Sequence, residues 1–154
     1  MSILGALRKV TGGAAEVEIT VAEAKRGTKA KVTVDVQIGS AAVKAKRIYV
    51  NLRASEVIDL PRYSAPSQPG AQAGSSIIHV QSNEQVFTQE FAIAEAKELA
   101  AGSTQQFTAE IDIPANQLPT LTGKNVRIQW QASAGLDVAW STDPSSGWKD
   151  ITVT

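Results

Sequence analysis

The 154-residue chain contains no cysteine. That absence removes disulfide frameworks, thiolate zinc sites and thiol nucleophiles together. It fits a reducing compartment, and a cytoplasmic location is expected. Histidine is nearly absent too: His79 is the only one, inside the apolar run Ile77-Ile78-His79-Val80. A lone histidine in a strand reads as a packed or edge residue, and nothing beside it forms a general-base constellation. The sequence has no Gly-x-Ser-x-Gly elbow, no Gly-x-Gly-x-x-Gly and no Gly-Lys-Ser/Thr ending. Hydrolases built on the nucleophile elbow and nucleotide sites built on glycine-rich loops therefore have no support. No catalytic, cofactor-binding or metal-ligating residue is assigned, and the chain is not expected to be an enzyme.

Long apolar runs are missing as well. No stretch approaches the ~20 residues that cross a bilayer. The opening Met1-Ser2-Ile3-Leu4-Gly5-Ala6-Leu7-Arg8-Lys9 places its charges after a short apolar run, the reverse of a secretory signal. Stable membrane insertion is not expected. Nor is there a charge excess of either sign: Lys and Arg total 15, as do Asp and Glu. A nucleic-acid binder would normally be basic overall, so no nucleic-acid partner is expected. The balance hides an asymmetry, with eleven cations against six acids in residues 1–62 and four against nine in 63–154. Interleaved strands from the two halves would mix these signs on one surface.

What the chain does have is alternation with period two, the pattern of strands with one dry face. Ala15, Val17, Ile19 and Val21 are apolar at odd positions, and Ala30, Val32, Val34, Val36 and Ile38 at even ones. Lys25-Arg26-Gly27-Thr28 between them reads as a hairpin turn. The next run changes phase: Val43 and Ala45 are odd, whereas Ile48, Val50, Leu52 and Ala54 are even. A single slip swaps every side chain to the other face, so an intact strand needs an extra residue near Lys46-Arg47, a β-bulge. Two strands meeting at a bend would produce the same pattern. Residues 61–76 hold three of the six prolines and are rich in Gly and Ser, which reads as a long loop.

Beyond that loop come the strand Ile77–Gln81, the run Phe87, Gln89, Phe91, Ile93, and an odd run Phe107, Ala109, Ile111, Ile113 closed by Pro114. Val126, Ile128, Trp130, Ala132, Ala134, Leu136, Val138 and Trp140 share even parity, as one long strand or two broken at Gly135. The expectation is an all-β, Ig-like antiparallel sandwich of seven to eight strands over residues 13–154, preceded by a short helix or arm over 1–12. The stripe Ile3, Leu4, Leu7, Val10 supplies that helix. Ala92–Ala101 is rich in helix formers, yet its place after a strand reads equally as strand end and loop.

The C-terminal third concentrates the remaining candidates. Asp137, Asp143 and Asp150 carry hard oxygen ligands of the kind calcium takes, but Asp143-Pro144-Ser145-Ser146-Gly147 is also an ordinary turn and matches no EF-hand spacing. Trp130 has core parity. Trp140 and Trp148 flank the Asp-Pro loop, where core packing across a hairpin is expected and an exposed pair would be a binding patch.

Phe107-Thr-Ala-Glu-Ile-Asp-Ile-Pro114, then Leu118-Pro119-Thr120, a strand through Trp130 to Leu136-Asp137-Val138, and the Asp143-Pro144 turn together resemble the arrestin-like fold. The nearest resemblance is to the bacterial sporulation-control protein M family. It is carried by about a third of the chain, and members usually run longer, with a second sandwich. The resemblance implies a non-enzymatic adaptor or regulator that offers strand edges and loops to protein partners. A self-assembling protein that pairs its own edges as a homo-oligomer, and a carbohydrate- or calcium-binding sandwich, are the alternatives.

Overall fold

The computed structural model describes residues 14–64, 77–139 and 141–154, with residues 61–64 and 77–79 described by their backbone. Among them no residue is helical. The N-terminal helix expected over residues 1–12 lies outside the described residues. The described residues form nine strands: β1 (Ala15–Val21), β2 (Lys29–Ile38), β3 (Val43–Ser64), β4 (Ile77–Ala94), β5 (Lys97–Leu99), β6 (Thr104–Asp112), β7 (Leu121–Thr122), β8 (Val126–Val138) and β9 (Lys149–Ile151). One sheet runs β1-β2-β6 and the other β4-β3-β8-β7, with β5 added to β3 and β9 to β8; every pair of strands is antiparallel.

The alternation read in the sequence is what joins the two sheets. Ala30, Val32, Val34, Val36 and Ile38 of β2 are all buried, facing Ile48, Val50, Leu52 and Ala54 of β3 and Ala132, Ala134 and Leu136 of β8 across a dry layer. Their polar neighbours on β2 point outward, as a pleated strand requires. Trp130 is the largest fully buried side chain; its ring tilts against Phe87 at 5.6 Å and its Nε1–H donates to Leu118 O at 2.9 Å. Burying an indole N–H without an acceptor would cost free energy, and the Leu118 carbonyl removes that cost.

The phase change in β3 is a bulge. Ala45 pairs with Val138 and Arg47 with Asp137, so Lys46 is the extra residue and one strand continues through it. The hairpin turn between β1 and β2 forms as read: Gly27 sits at φ +72°, Thr28 N–H donates to Lys25 O at 3.2 Å, and the Thr28 hydroxyl donates to the same oxygen at 2.8 Å. A side chain is strained at that φ, which is why the turn takes glycine.

Three details differ from the sequence expectation, the start of the loop, the extent of β4 and the number of strands, and two alternatives left open there, at Gly135 and over Ala92–Ala101, are decided. Residues 61–64 of the segment read as a loop belong to β3, which runs to Ser64, and residues 65–76 lie outside the described residues. Ile77–Gln81 and Phe87–Ile93 are a single strand, β4, since the polar stretch between them is paired to β3 throughout. Gly135 does not divide β8. Ala92–Ala101 forms a strand end and the short β5 rather than a helix, because pairing with Val43–Ala45 outweighs helix propensity there. The seven to eight strands expected become nine because three of them, β5, β7 and β9, have two or three residues each.

Candidate interaction surface

The two sheets differ greatly in length. At about 3.3 Å per residue the 22 residues of β3 extend ~70 Å, against ~33 Å for the ten of β2. The far parts of β3 and β4 therefore continue as a ribbon beyond the smaller sheet. Burial records the transition: Ala54 is 1% exposed, whereas Ile58 and Leu60 on the same face are half-buried and Val80 is 37% exposed.

On its outer face the larger sheet carries a ladder of cross-strand pairs between β3 and β8. Arg47 faces Asp137, Tyr49 faces Gly135 and Arg53 faces Gln131. Arg47 donates to Asp137 Oδ2 at 3.2 Å and to Glu90 Oε1 at 2.9 Å, and these two carboxylates hold the guanidinium further into its charged range. The Tyr49 ring lies in the space that a side chain at Gly135 would need: an added Cβ there would fall 2.5 Å from the ring. The Tyr49 hydroxyl donates to Asp143 Oδ2 at 3.0 Å. Desolvation, with that carboxylate beside it, pushes the phenol up to about 12. Arg53 donates twice to Gln131 Oε1, at 3.0 and 2.7 Å, and its guanidinium lies 3.8 Å from the centre of the Trp148 ring. Gln131 and Gln129 donate to Asp150 Oδ1, both at 2.8 Å, which lowers the Asp150 pKa.

This ladder disposes of the three candidate carboxylates separately. Asp137 accepts from Arg47, Asp143 from Tyr49 and the Val138 N–H, and Asp150 from two glutamines. Among the described residues no three His, Cys, Asp or Glu side chains are grouped to hold a metal ion. The Asp143–Gly147 stretch behaves as a strap along β8: Pro144 O accepts from the Leu136 N–H and Ser146 Oγ accepts from the Ala134 N–H. Trp148 is not the core residue expected of it. It is 40% exposed, because β9 turns it onto the outer face over Arg53. Trp140 lies outside the described residues, and of His79 only the backbone, in β4, is described.

Sequence reasoning missed the edge. β4 pairs with β3 alone among the described residues, so the other side of its 18-residue backbone carries no strand. Natural edge strands are commonly blunted with lysine, proline, short length or bulges. Ile77–Ala94 contains no Lys, Arg or Pro, and only irregularities opposite Ile48, Ala54 and Leu60 interrupt it. The signal was present in Gln81-Ser-Asn-Glu-Gln-Val86, a largely polar run free of glycine and proline, but such a run is equally a loop until its pairing with β3 is seen. The opposite end of the sheet is occupied, by β7 at Ile128 and by β9 at Trp130–Ala132.

The molecule so described is a two-layer antiparallel β-sandwich with a projecting ribbon. A solved structure of this fold is the sporulation control protein Spo0M from Bacillus subtilis, to which the chain is similar at TM-score 0.61 and 19% identity over 92% of its own length. The chain spans about half of that protein, 49% of it, and the likeness defines the fold. No family model matches the sequence, and no curated protein matches it in sequence.

Proposed function

We propose that this chain is a non-enzymatic, cytoplasmic regulatory adaptor of arrestin-like type, and that it takes hold of a protein partner by strand addition to β4. The observation that carries this reading is the long β4 edge, which no further strand among the described residues pairs and which is free of lysine, arginine and proline. An added strand satisfies the outward N–H and C=O groups, and side-chain contacts on the two faces then select the partner. The Spo0M-like fold supports a regulatory role, because that neighbour is a sporulation control protein.

The test is partner capture from the native cell with mass spectrometry, using the chain and two variants, Ser82→Pro and Asn83→Pro. Successive N–H groups of a strand point to opposite sides. One of these prolines therefore removes an outward donor and the other removes a bond to β3. The expected result is loss of the same partner in the variant that still melts near the parent temperature. A partner retained by both variants excludes the edge.

A further inference from the structure

We infer that the segment added to β4 is basic and aliphatic on one face, a strand with Lys or Arg opposite Glu84 and an aliphatic side chain opposite Val80. This rests on the strand-addition reading above. The rows that cross the projecting part of the sheet set the chemistry. In one row Leu121 of β7, Ile128 of β8, Glu56 of β3 and Glu84 of β4 lie side by side. In the next come Val126, Ile58 and Ser82, and in the last Leu60 and Val80. All of these continue the inward face of the sandwich beyond the smaller sheet: Ile128 is buried, but Leu121, Val126 and Val80 are 51%, 37% and 37% exposed.

Glu56 and Glu84 are direct cross-strand partners, an arrangement that like charges disfavour. Neither has an ion-pair or hydrogen-bond partner among the described residues, and no side chain in these rows is a cation. The strand that completes the sheet would place its own side chain next to Glu84, and a cation there relieves both carboxylates at once. Two places along, its side chain meets Ser82, and beyond that Val80, Leu60 and Ile58 offer an apolar floor. The opposite face of the same stretch presents Gln81, Asn83 and Gln85, which ask only for polar neighbours. A second copy of β4 does not meet this requirement, because Glu84 and Glu90 are the only ionised groups between Val80 and Ala94 and self-pairing brings acid toward acid.

The experiment titrates the isotopically labelled full chain with short capped peptides of alternating Val and Thr that carry Lys, Gln or Glu at one Val position, followed by amide chemical shifts. The expected shifts lie along Val80–Glu90, with the Lys peptide binding roughly two- to five-fold more tightly than the Gln peptide and the Glu peptide weakest. The differences shrink in high salt, and Glu84→Lys reverses the order while leaving the melting temperature close to the parent value. Equal binding of the three peptides at β4 overturns this inference and leaves strand addition standing. Peptides that shift no amide of β4 overturn both. Concentration-dependent shifts of β4 in the chain alone, with a dimer in sedimentation, assign the edge to a second copy and overturn the basic partner.

Discussion

Tyr49 and Gly135 form the tightest side-chain constraint on the outer face. The ring occupies the position of the missing Cβ, and its hydroxyl is anchored on Asp143 at 3.0 Å, so it cannot swing aside without losing that bond. Gly135→Ala is expected to cost about 1–3 kcal/mol by overpacking, read as a fall in the denaturation midpoint. In a Tyr49→Ala background the same substitution is expected to cost much less, a coupling that a double-mutant cycle measures. A loss of equal size in both backgrounds would place the strain elsewhere.

The same tyrosine gives a pH dependence with a definite sign. Its phenol has a folded-state pKa of about 12 against an ordinary 10.0, so the folded state holds the proton more firmly than the unfolded chain. The stability from that difference is complete below pH 10 and is lost as pH rises toward 12. Absorbance titration of a Tyr63→Phe variant isolates Tyr49, since the chain has two tyrosines. A midpoint near 10 in the folded protein would contradict the half-buried, Asp143-paired hydroxyl.

At the level of elements, the β1–β2 hairpin shows how much a local turn decides. Seven consecutive cross-strand pairs, from Ala15–Ile38 to Val21–Val32, follow from where the chain reverses. Gly27 at φ +72° permits the reversal, and an added Cβ would also sit 3.3 Å from Ala115 Cβ. Gly27→Ala is expected to lower stability by roughly 1–2 kcal/mol without changing the fold, visible as a lower melting temperature with unchanged far-UV dichroism. The bulge at Lys46 acts at the same scale. It lets Val43 and Ala45 face the core together with Ile48 and Val50 despite their opposite parity, and it sets Arg47 against Asp137. Both devices were legible in the sequence, one from the glycine, the other from the parity slip. The end of β3 was not, because Pro61 lies within a strand and a Pro/Gly/Ser-rich segment reads as loop until its partner strand is known.

Across the whole molecule the two sheets differ in support. β2 is flanked by β1 and β6 and covered on its inner face, whereas β4 is an edge along residues 77–86 and, beyond Ile58, the larger sheet narrows to β3 and β4 alone, with no sheet above it among the described residues. Two-stranded ribbons are marginal by themselves. Amide hydrogen exchange is therefore expected to be slowest in Val32–Val36 and faster by orders of magnitude at Ser82–Gln85. A partner strand on β4 would slow the latter without affecting β2. Uniform protection of both would mean that the ribbon opens only with the whole domain.

The sequence by itself determined the layers, because every second apolar side chain must leave water and only paired, pleated strands achieve that with this spacing. It determined the turn at Gly27, the phase change near Lys46-Arg47 and the core place of Trp130 for the same local reasons, while the pairing with β8 decided that the phase change is a bulge. Tertiary structure alone decided that Trp148 lies over Arg53, that Asp137, Asp143 and Asp150 each serve different partners, and that the polar run 81–86 belongs to a strand at the edge of the sheet among the described residues. Those outcomes depend on which distant strand lies alongside, and a period-two pattern specifies the face of a residue but not its neighbour across the sheet.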